Sequence, residues 1–291
     1  PGAGSSWDGC EQSDTFNPQI NDNKKFNKVV LNGNGGNDLI DINVVWTNSS
    51  GSTVQGGEGR DNVNWGGQSL NTMNINAEVI DVRLDGNSKT KNSTLCGEKI
   101  DVISNNLVEN LHASGSDIYI ASGKINSSSI FGGEGTNDEI KIKSNNDFKN
   151  SVLATGSGLD NINIILAGNQ NIRGTFVDSG SGNDKIVVDT PNFIRGGTVY
   201  GGSGDDILRV DGNIAGNSSD VLDGGEGTDE ITTGGGSDTI VLREGDGNVL
   251  LDLADVITDF EDGSDIFGLD GDLSLSDLNI EQSGEDTLIS V

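Results

Sequence analysis

Six-residue blocks of the form Gly-Gly-x-Gly-x-Asp recur along this chain, each followed by a short run rich in β-branched residues. They read GNGGND at 33–38, GGEGRD at 56–61, GGSGDD at 201–206 and GGEGTD at 224–229. Looser copies are GGEGTND at 132–138, TGSGLD at 155–160, SGSGND at 179–184 and TGGGSD at 233–238. From Asp138 to Asp229 the block Asp returns at steps of 22, 24, 22 and 23, and Asp38 to Asp61 is again 23. A constant step of this size means one coil of a solenoid per period, with the turns stacked on one edge. Glycine supplies the positive φ that such sharp turns need.

Apolar residues sit two and four places after each Asp: Ile40 and Ile42, Val63 and Trp65, Ile140 and Ile142, Ile162 and Ile164, Ile186 and Val188, Leu208 and Val210. Alternation sends that set to one face of a strand, and Lys141, Asn163 and Arg209 to the other. A second short strand precedes the next turn, as at Ile130 and Phe131 or Val221 and Leu222. Each coil therefore reads as strand, variable turn, strand, glycine turn, with Asn, Ser, Gly or Pro191 in the variable turn. The fold class is an all-β parallel β-solenoid with about 22–24 residues per coil. It is expected over residues 31–242, with caps at 1–30 and 243–291.

Two stretches break the pattern. Asp238 follows Asp229 after less than half a coil, so the second turn must lie on the opposite edge and begin a second row there. Between residues 66 and 129 the glycines decay, although Asp81, Asp101 and Asp117 still recur at a somewhat shorter step. That region reads as coils that continue the solenoid with little or no bound metal, or as an insertion on the same body.

The turns also carry a ligand chemistry. A glycine turn points carbonyl oxygens inward and the Asp adds a carboxylate, and hard oxygen donors of this kind select calcium. The chain has 46 acidic and 17 basic residues, a formal net charge of −29, and 32% hydrophobic content. Low hydrophobicity with high net charge lies close to the signature of disorder. Bound divalent cations would remove the self-repulsion, so folding and calcium binding are expected to be coupled. The charge excludes a nucleic-acid partner, and no apolar run approaches the ~20 residues of a membrane helix. The chain opens at Pro1 with no secretory signal peptide, which suggests a processed product or an excised fragment. Cys10 and Cys96 are open to pairing in an oxidising compartment.

At these residues the chain resembles the RTX family, the repeats-in-toxin proteins of Gram-negative bacteria. The likeness covers residues 31–61 and 130–242, and DVITDFEDGSDIFGL at 255–269 is similar to the flank that often follows such repeats. The resemblance implies a calcium-loaded β-roll that folds outside the cell after type I secretion. It also implies a ligand set. Carboxylates come from Asp38, Asp61, Asp160, Asp184, Asp206, Asp229 and Asp238, with Asn137 or Asp138 in the longer block. Carbonyls come from Gly33, Gly35, Gly56, Gly57, Gly59, Gly133, Gly135, Gly156, Gly158, Gly180, Gly182, Gly202, Gly204, Gly225, Gly227, Gly234 and Gly236. The coil of this chain is longer than the family's pair of nonapeptides.

The expected role is a secreted structural or cell-surface module: an S-layer-like, adhesin or matrix component. A cell-surface polysaccharide and other copies of the chain stand as candidate partners beside calcium. The competing reading is a carbohydrate-active enzyme or carbohydrate-binding module on a β-helix, which a cleft near Arg83, Lys99, His112 and Tyr119 would favour. Trp7, Trp46, Trp65, Tyr119 and Tyr200 are the candidate sugar-stacking rings, with core packing the default for Trp65. His112 is the only histidine, too few for a two-histidine zinc helix. Asp259, Asp262 and Asp265 lack EF-hand spacing and are expected in a solvated loop.

Overall fold

The computed structural model describes residues 6–17, 26–44, 49–67, 69–84, 86–167, 172–190, 194–212, 219–246 and 253–290. Trp46 and Pro191 lie outside these residues. The described chain is an all-β parallel solenoid, and no helix in it is long and apolar enough to cross a membrane.

The strands that follow the turns stack in register to form one face, here face A. Leu39 pairs with Asn62, Asn62 with Val79, Val79 with Lys99, and Lys99 with Asp117. The series continues through Glu139, Asn161, Lys185, Ile207, Glu230 and Val256. The alternating apolar residues point inward as two columns. Ile40, Val63, Ile80, Ile100, Ile118, Ile140 and Ile162 form one, and Ile42, Trp65, Val82, Val102, Ile120, Ile142 and Ile164 the other, all at most 2% exposed. Each such side chain contributes about 1.5–3 kcal/mol by leaving water. This apolar ladder is what a Gly-rich, acidic chain has in place of a bulky core.

Face B is the strand before the turn, with Leu31, Val54, Ile75, Leu95, Ile130 and Leu153 buried in a column. The variable turn holds more than a surface loop. It contains a third short strand, face C, whose inward residues include Leu70, Thr90, Val108, Ile125, Phe148 and Ile172. Such short strands carry too little pattern to be read from sequence. The corner between faces C and B is turned by one residue in the left-handed region in each coil. Lys28, Gly51, Thr72, Asn92, Asn110, Ser127, Asn150, Gly174 and Gly196 all have φ between 49° and 66°. Asn and Gly tolerate that conformation, which explains the Asn and Gly content of the variable turn. The next residue is often a buried hydroxyl that accepts from the coil before: Val29 N–H donates to Ser52 Oγ at 3.0 Å and Met73 N–H to Ser93 Oγ at 3.1 Å.

The middle coils belong to the same ladder but are shorter. The path from Asn62 to Val79, from Val79 to Lys99 and from Lys99 to Asp117 takes fewer residues than a full outer coil. The turn position of Asp61 is filled there by Glu78, Glu98 and Ser116, as the bonds from Lys99 N to Glu78 O and Glu139 N to Ser116 O show. Asp81 and Asp101 instead point outward from face A, which accounts for the shifted apolar neighbours.

The solenoid also passes both expected boundaries. Ser6–Asp8 and Thr15–Phe16 pair with Val30–Gly35 and Leu39–Val44, so the N-terminal residues wind a coil of their own with Asp14 at the turn position. At the other end Val256–Ile257 and Ile266–Leu269 still pair in parallel, and only then does the antiparallel hairpin Asn279–Ser283 and Asp286–Ser290 follow. Cys10 and Cys96 are both free. They sit four rungs apart, roughly 19 Å at the usual strand spacing and far beyond disulfide reach.

Truncation of one stacked residue tests the ladder. Ile142→Ala should lower urea stability by roughly 2–5 kcal/mol. Lys143→Ala, on the outward side of the same strand, should stay within about 0.5 kcal/mol of the parent.

Candidate metal centre

The turn Asp residues form a ladder along one edge, and each carboxylate divides its work between two oxygens. Oδ1 accepts the backbone N–H of the turn Asp one coil earlier. Asp38 N donates to Asp61 Oδ1 at 2.8 Å, Asp138 N to Asp160 at 2.7 Å, Asp160 N to Asp184 at 2.7 Å, Asp184 N to Asp206 at 2.8 Å and Asp206 N to Asp229 at 2.8 Å. Asp14 N donates to Asp38 Oδ1 and Asp229 N to Asp255 Oδ1 at the two ends, and Asp61 N reaches Glu78 Oε2 at 2.7 Å. A carboxylate accepting a backbone N–H is a charge-assisted bond, stronger than a neutral one.

Oδ2 is left over. In Asp38, Asp61, Asp160, Asp184, Asp206, Asp229 and Asp238 it is buried without a hydrogen-bond partner. Its neighbour is another acceptor. A β-carbon added at Gly201 would lie 2.6 Å from Asp206 Oδ2 and 2.5 Å from the Gly224 carbonyl oxygen of the next coil. Gly33 stands in the same relation to Asp38 Oδ2 and the Gly56 carbonyl. The space in front of the first motif glycine is thus a small cradle walled by a carboxylate oxygen and a carbonyl oxygen, with no donor between them. Two buried acceptors face to face require a positive charge or a proton.

Two coils relieve the carbonyl alone, and Asp160 and Asp184 Oδ2 stay without a donor. Where Thr155 and Ser179 replace the first glycine, Thr155 Oγ1–H donates to Ser179 O at 2.8 Å and Ser179 Oγ–H to Gly201 O at 2.9 Å. A third coil is satisfied by its own turn. Asp138, and not Asn137, holds the ladder position; its Oδ2 accepts Gly133 N–H at 2.5 Å and its Oδ1 accepts Thr136 Oγ1–H at 2.6 Å. Asn137 instead accepts Leu159 N–H at 3.0 Å, as Asn37 accepts from Arg60 and Asn183 from Asp205. This side ladder is visible in the sequence only as the polar residue before each Asp.

The glycines at the second and fourth motif positions serve the close stacking of the turns. Gly57, Gly156, Gly180, Gly202, Gly225 and Gly234, with Gly59, Gly158, Gly182, Gly204, Gly227 and Gly236, have φ between 80° and 155°. The Gly180 carbonyl lies directly against Gly202 and the Gly202 carbonyl against Gly225, leaving no room for a side chain. Gly35 packs against Glu11, and Gly135 turns the longer block at φ 72°. The carbonyls nearest Oδ2 belong to the first motif position, Gly56 and Gly224.

Asp238 lies on the opposite edge, where its short step from Asp229 requires it. Asp220 N donates to Asp238 Oδ1 and Asp238 N to Asp265 Oδ1, both at 3.0 Å. Asp259 accepts the N–H groups of Thr233 and Gly234 at 2.8 Å each. Asp259 and Asp265 are therefore rungs of the last coils, and only Asp262 of that trio is exposed as a loop residue. Arg243 closes this end, paired with Asp223 and Asp270 and lying 5.7 Å over the Tyr200 ring. His112 is exposed on face B beside Phe131, and Trp65 is a core residue.

Among the described residues no three His, Cys, Asp or Glu side chains converge as a metal-holding group. A cation on these edges would be held by one carboxylate oxygen per coil and by backbone carbonyls, which are hard donors suited to calcium. Comparison with models of known protein families and with curated proteins finds no match to this chain.

Burial raises the carboxyl groups: Asp206 and Asp229 to about 7, Asp184 and Asp238 to about 6, and Asp220 to about 8. Unfolded carboxyls titrate near 3.9. The folded chain therefore holds more protons than the unfolded one from about pH 4 to pH 7, and its metal-free stability falls as pH rises through that window. In EDTA the far-UV β signal should be stronger at pH 5 than at pH 8; a β signal that rises with pH would mean that these oxygens are neutralised in another way. Asp206→Asn keeps the acceptor for Asp184 N–H and gives Gly224 O a donor. It should raise the β signal in EDTA at pH 8.

Proposed function

We propose that this protein is a secreted, calcium-binding structural module of RTX type that folds on calcium binding outside the cell and serves as a cell-surface or matrix component. The observation that carries the reading is the row of buried, unpartnered Asp Oδ2 atoms, two of which, Asp38 and Asp206, face a glycine carbonyl of the next coil. Calcium supplies the positive charge that such a pair of acceptors lacks. Desolvation, not sequence motif alone, makes the turn selective for a cation over water.

The mechanism follows from charge. With a net charge of −29 and few large apolar residues, the chain at low calcium repels itself and stays open. Export by a type I system needs such an unfolded chain, and extracellular modules bind calcium at roughly 0.1–1 mM. The cradles at Gly33, Gly56, Gly201 and Gly224 are the expected sites. In the Thr155 and Ser179 coils a hydroxyl serves the carbonyl and leaves Asp160 and Asp184 Oδ2 without a donor, and the Asp138 turn satisfies itself. The number of ions is therefore smaller than the number of coils.

Calcium titration of EDTA-stripped protein at pH 7.5, followed by far-UV circular dichroism and hydrodynamic radius together, tests this. The expected result is a cooperative gain of β signal with compaction at sub- to low-millimolar calcium. A compact β fold already present in EDTA would show that the apolar ladder suffices and would overturn the switch.

A further inference from the structure

The groove on face A of the middle coils is a separate site. It is an open depression of about 360 Å³ running across three successive coils. Its floor is Tyr119, which stands between Asp101 of the coil before and Lys141 of the coil after. Ala121 follows on the same strand, in register between Ile103 and Lys143.

The charge around it differs from the rest of the molecule. Residues 83–149 carry eight basic and nine acidic side chains, so nearly the whole charge of −29 lies elsewhere. Most cations there are already paired. Arg83 is held by Asp81 at 2.5 Å and Asp101 at 3.4 Å, and Lys99 by Asp117 at 2.6 Å. Lys141 and Lys143 have no carboxylate within ion-pair distance among the described residues. Two unpaired ammonium groups therefore sit at one wall of the groove, beside an aromatic ring, on a protein that elsewhere repels anions.

We infer that this groove binds an anionic polysaccharide built of carboxylated sugar units. Lys141 and Lys143 pair with sugar carboxylates, the half-buried Tyr119 ring offers a flat face to a pyranose ring, and Asp101 and Glu139 accept hydroxyl protons at the margins. The groove crosses successive rungs spaced about 4.8 Å along the axis, which suits an extended polymer better than a compact ligand. An acidic peptide matches the lysines but leaves the hydroxyl acceptors facing its carboxylates, so the sugar chemistry is favoured. The site needs no calcium ligand, and its fate is independent of the calcium reading.

The test is calorimetric binding to the intact chain at saturating calcium, with oligogalacturonate hexamer as probe, and neutral maltohexaose and hexaglutamate as comparisons. The oligogalacturonate should bind, weaken with added salt, and exceed both comparisons by about tenfold or more. Lys141→Ala/Lys143→Ala should lose about tenfold in affinity, and Tyr119→Ala should lose affinity without altering the salt dependence. Far-UV spectra identical to the parent keep a loss attributable to the groove. Absence of oligogalacturonate binding, equal binding of hexaglutamate, or full retention in the double-lysine variant overturns the assignment. Loss of the calcium transition with groove binding intact would overturn the folding switch alone.

Discussion

A carboxylate whose two oxygens have different obligations governs this fold. Oδ1 of most turn Asp residues is committed to the neighbouring coil's backbone, a bond that starts from the N–H groups of Asp14 and Asp38 and, beyond the middle coils, from those of Asp138 to Asp229. That bond fixes the spacing of the turns and drags Oδ2 out of water, beside a carbonyl that is equally short of a donor. The interaction that aligns the coils thus creates the shortage of positive charge. An isolated buried acceptor pair is costly, and a repeating column of them is sustainable only with a compensating positive charge at each level or with coils that avoid the conflict.

Parts of the chain ease the conflict by themselves. Thr155 and Ser179 place a hydroxyl where other coils have glycine, and each donates to the carbonyl of the next coil. Thr136 and Gly133 satisfy Asp138 from within its own turn. In the middle coils the Asp itself is gone, replaced by Glu78, Glu98 and Ser116, while the near-neutral charge of that stretch comes from its Lys and Arg residues. Substitution of one turn residue therefore decides which of a coil's buried acceptors find a donor, without disturbing the inward columns of Ile and Val that run past it.

Much of this was legible because the signals are periodic. The step of the Asp residues dictates a parallel solenoid, and the alternation after each Asp dictates Ile140, Ile142, Ile162 and Ile164 as core. Other features were hidden for specific reasons. Short face C strands, such as Phe148–Lys149, offer too few positions for alternation to register. Asp81 and Asp101 mimic the repeat but stand three places beyond the turn, because the shorter coils move the turn back to Glu78 and Glu98. Asp259 and Asp265 look like a loop cluster, yet pair with Thr233 and Asp238 across a step longer than the main period. Which oxygen of a turn is left without a donor depends on the stacking of two coils, and no single turn shows it.

In a solenoid each coil touches only its neighbours, so stability propagates from wherever a coil can stand by itself. The coils from Val79 to Ser144 combine full apolar columns, shorter loops and almost no net charge. Among the described residues no turn carboxylate of this stretch is buried without a partner. The flanking coils carry the buried Asp residues and the negative charge, and each pays its desolvation only when it docks. An ordered middle would lower that entropic cost for the next coil by supplying half of its ladder in advance. The sharpness of any calcium transition would then be set by how many coils dock per ion, and the Asp138 turn, which satisfies itself, offers no bare carboxylate oxygen.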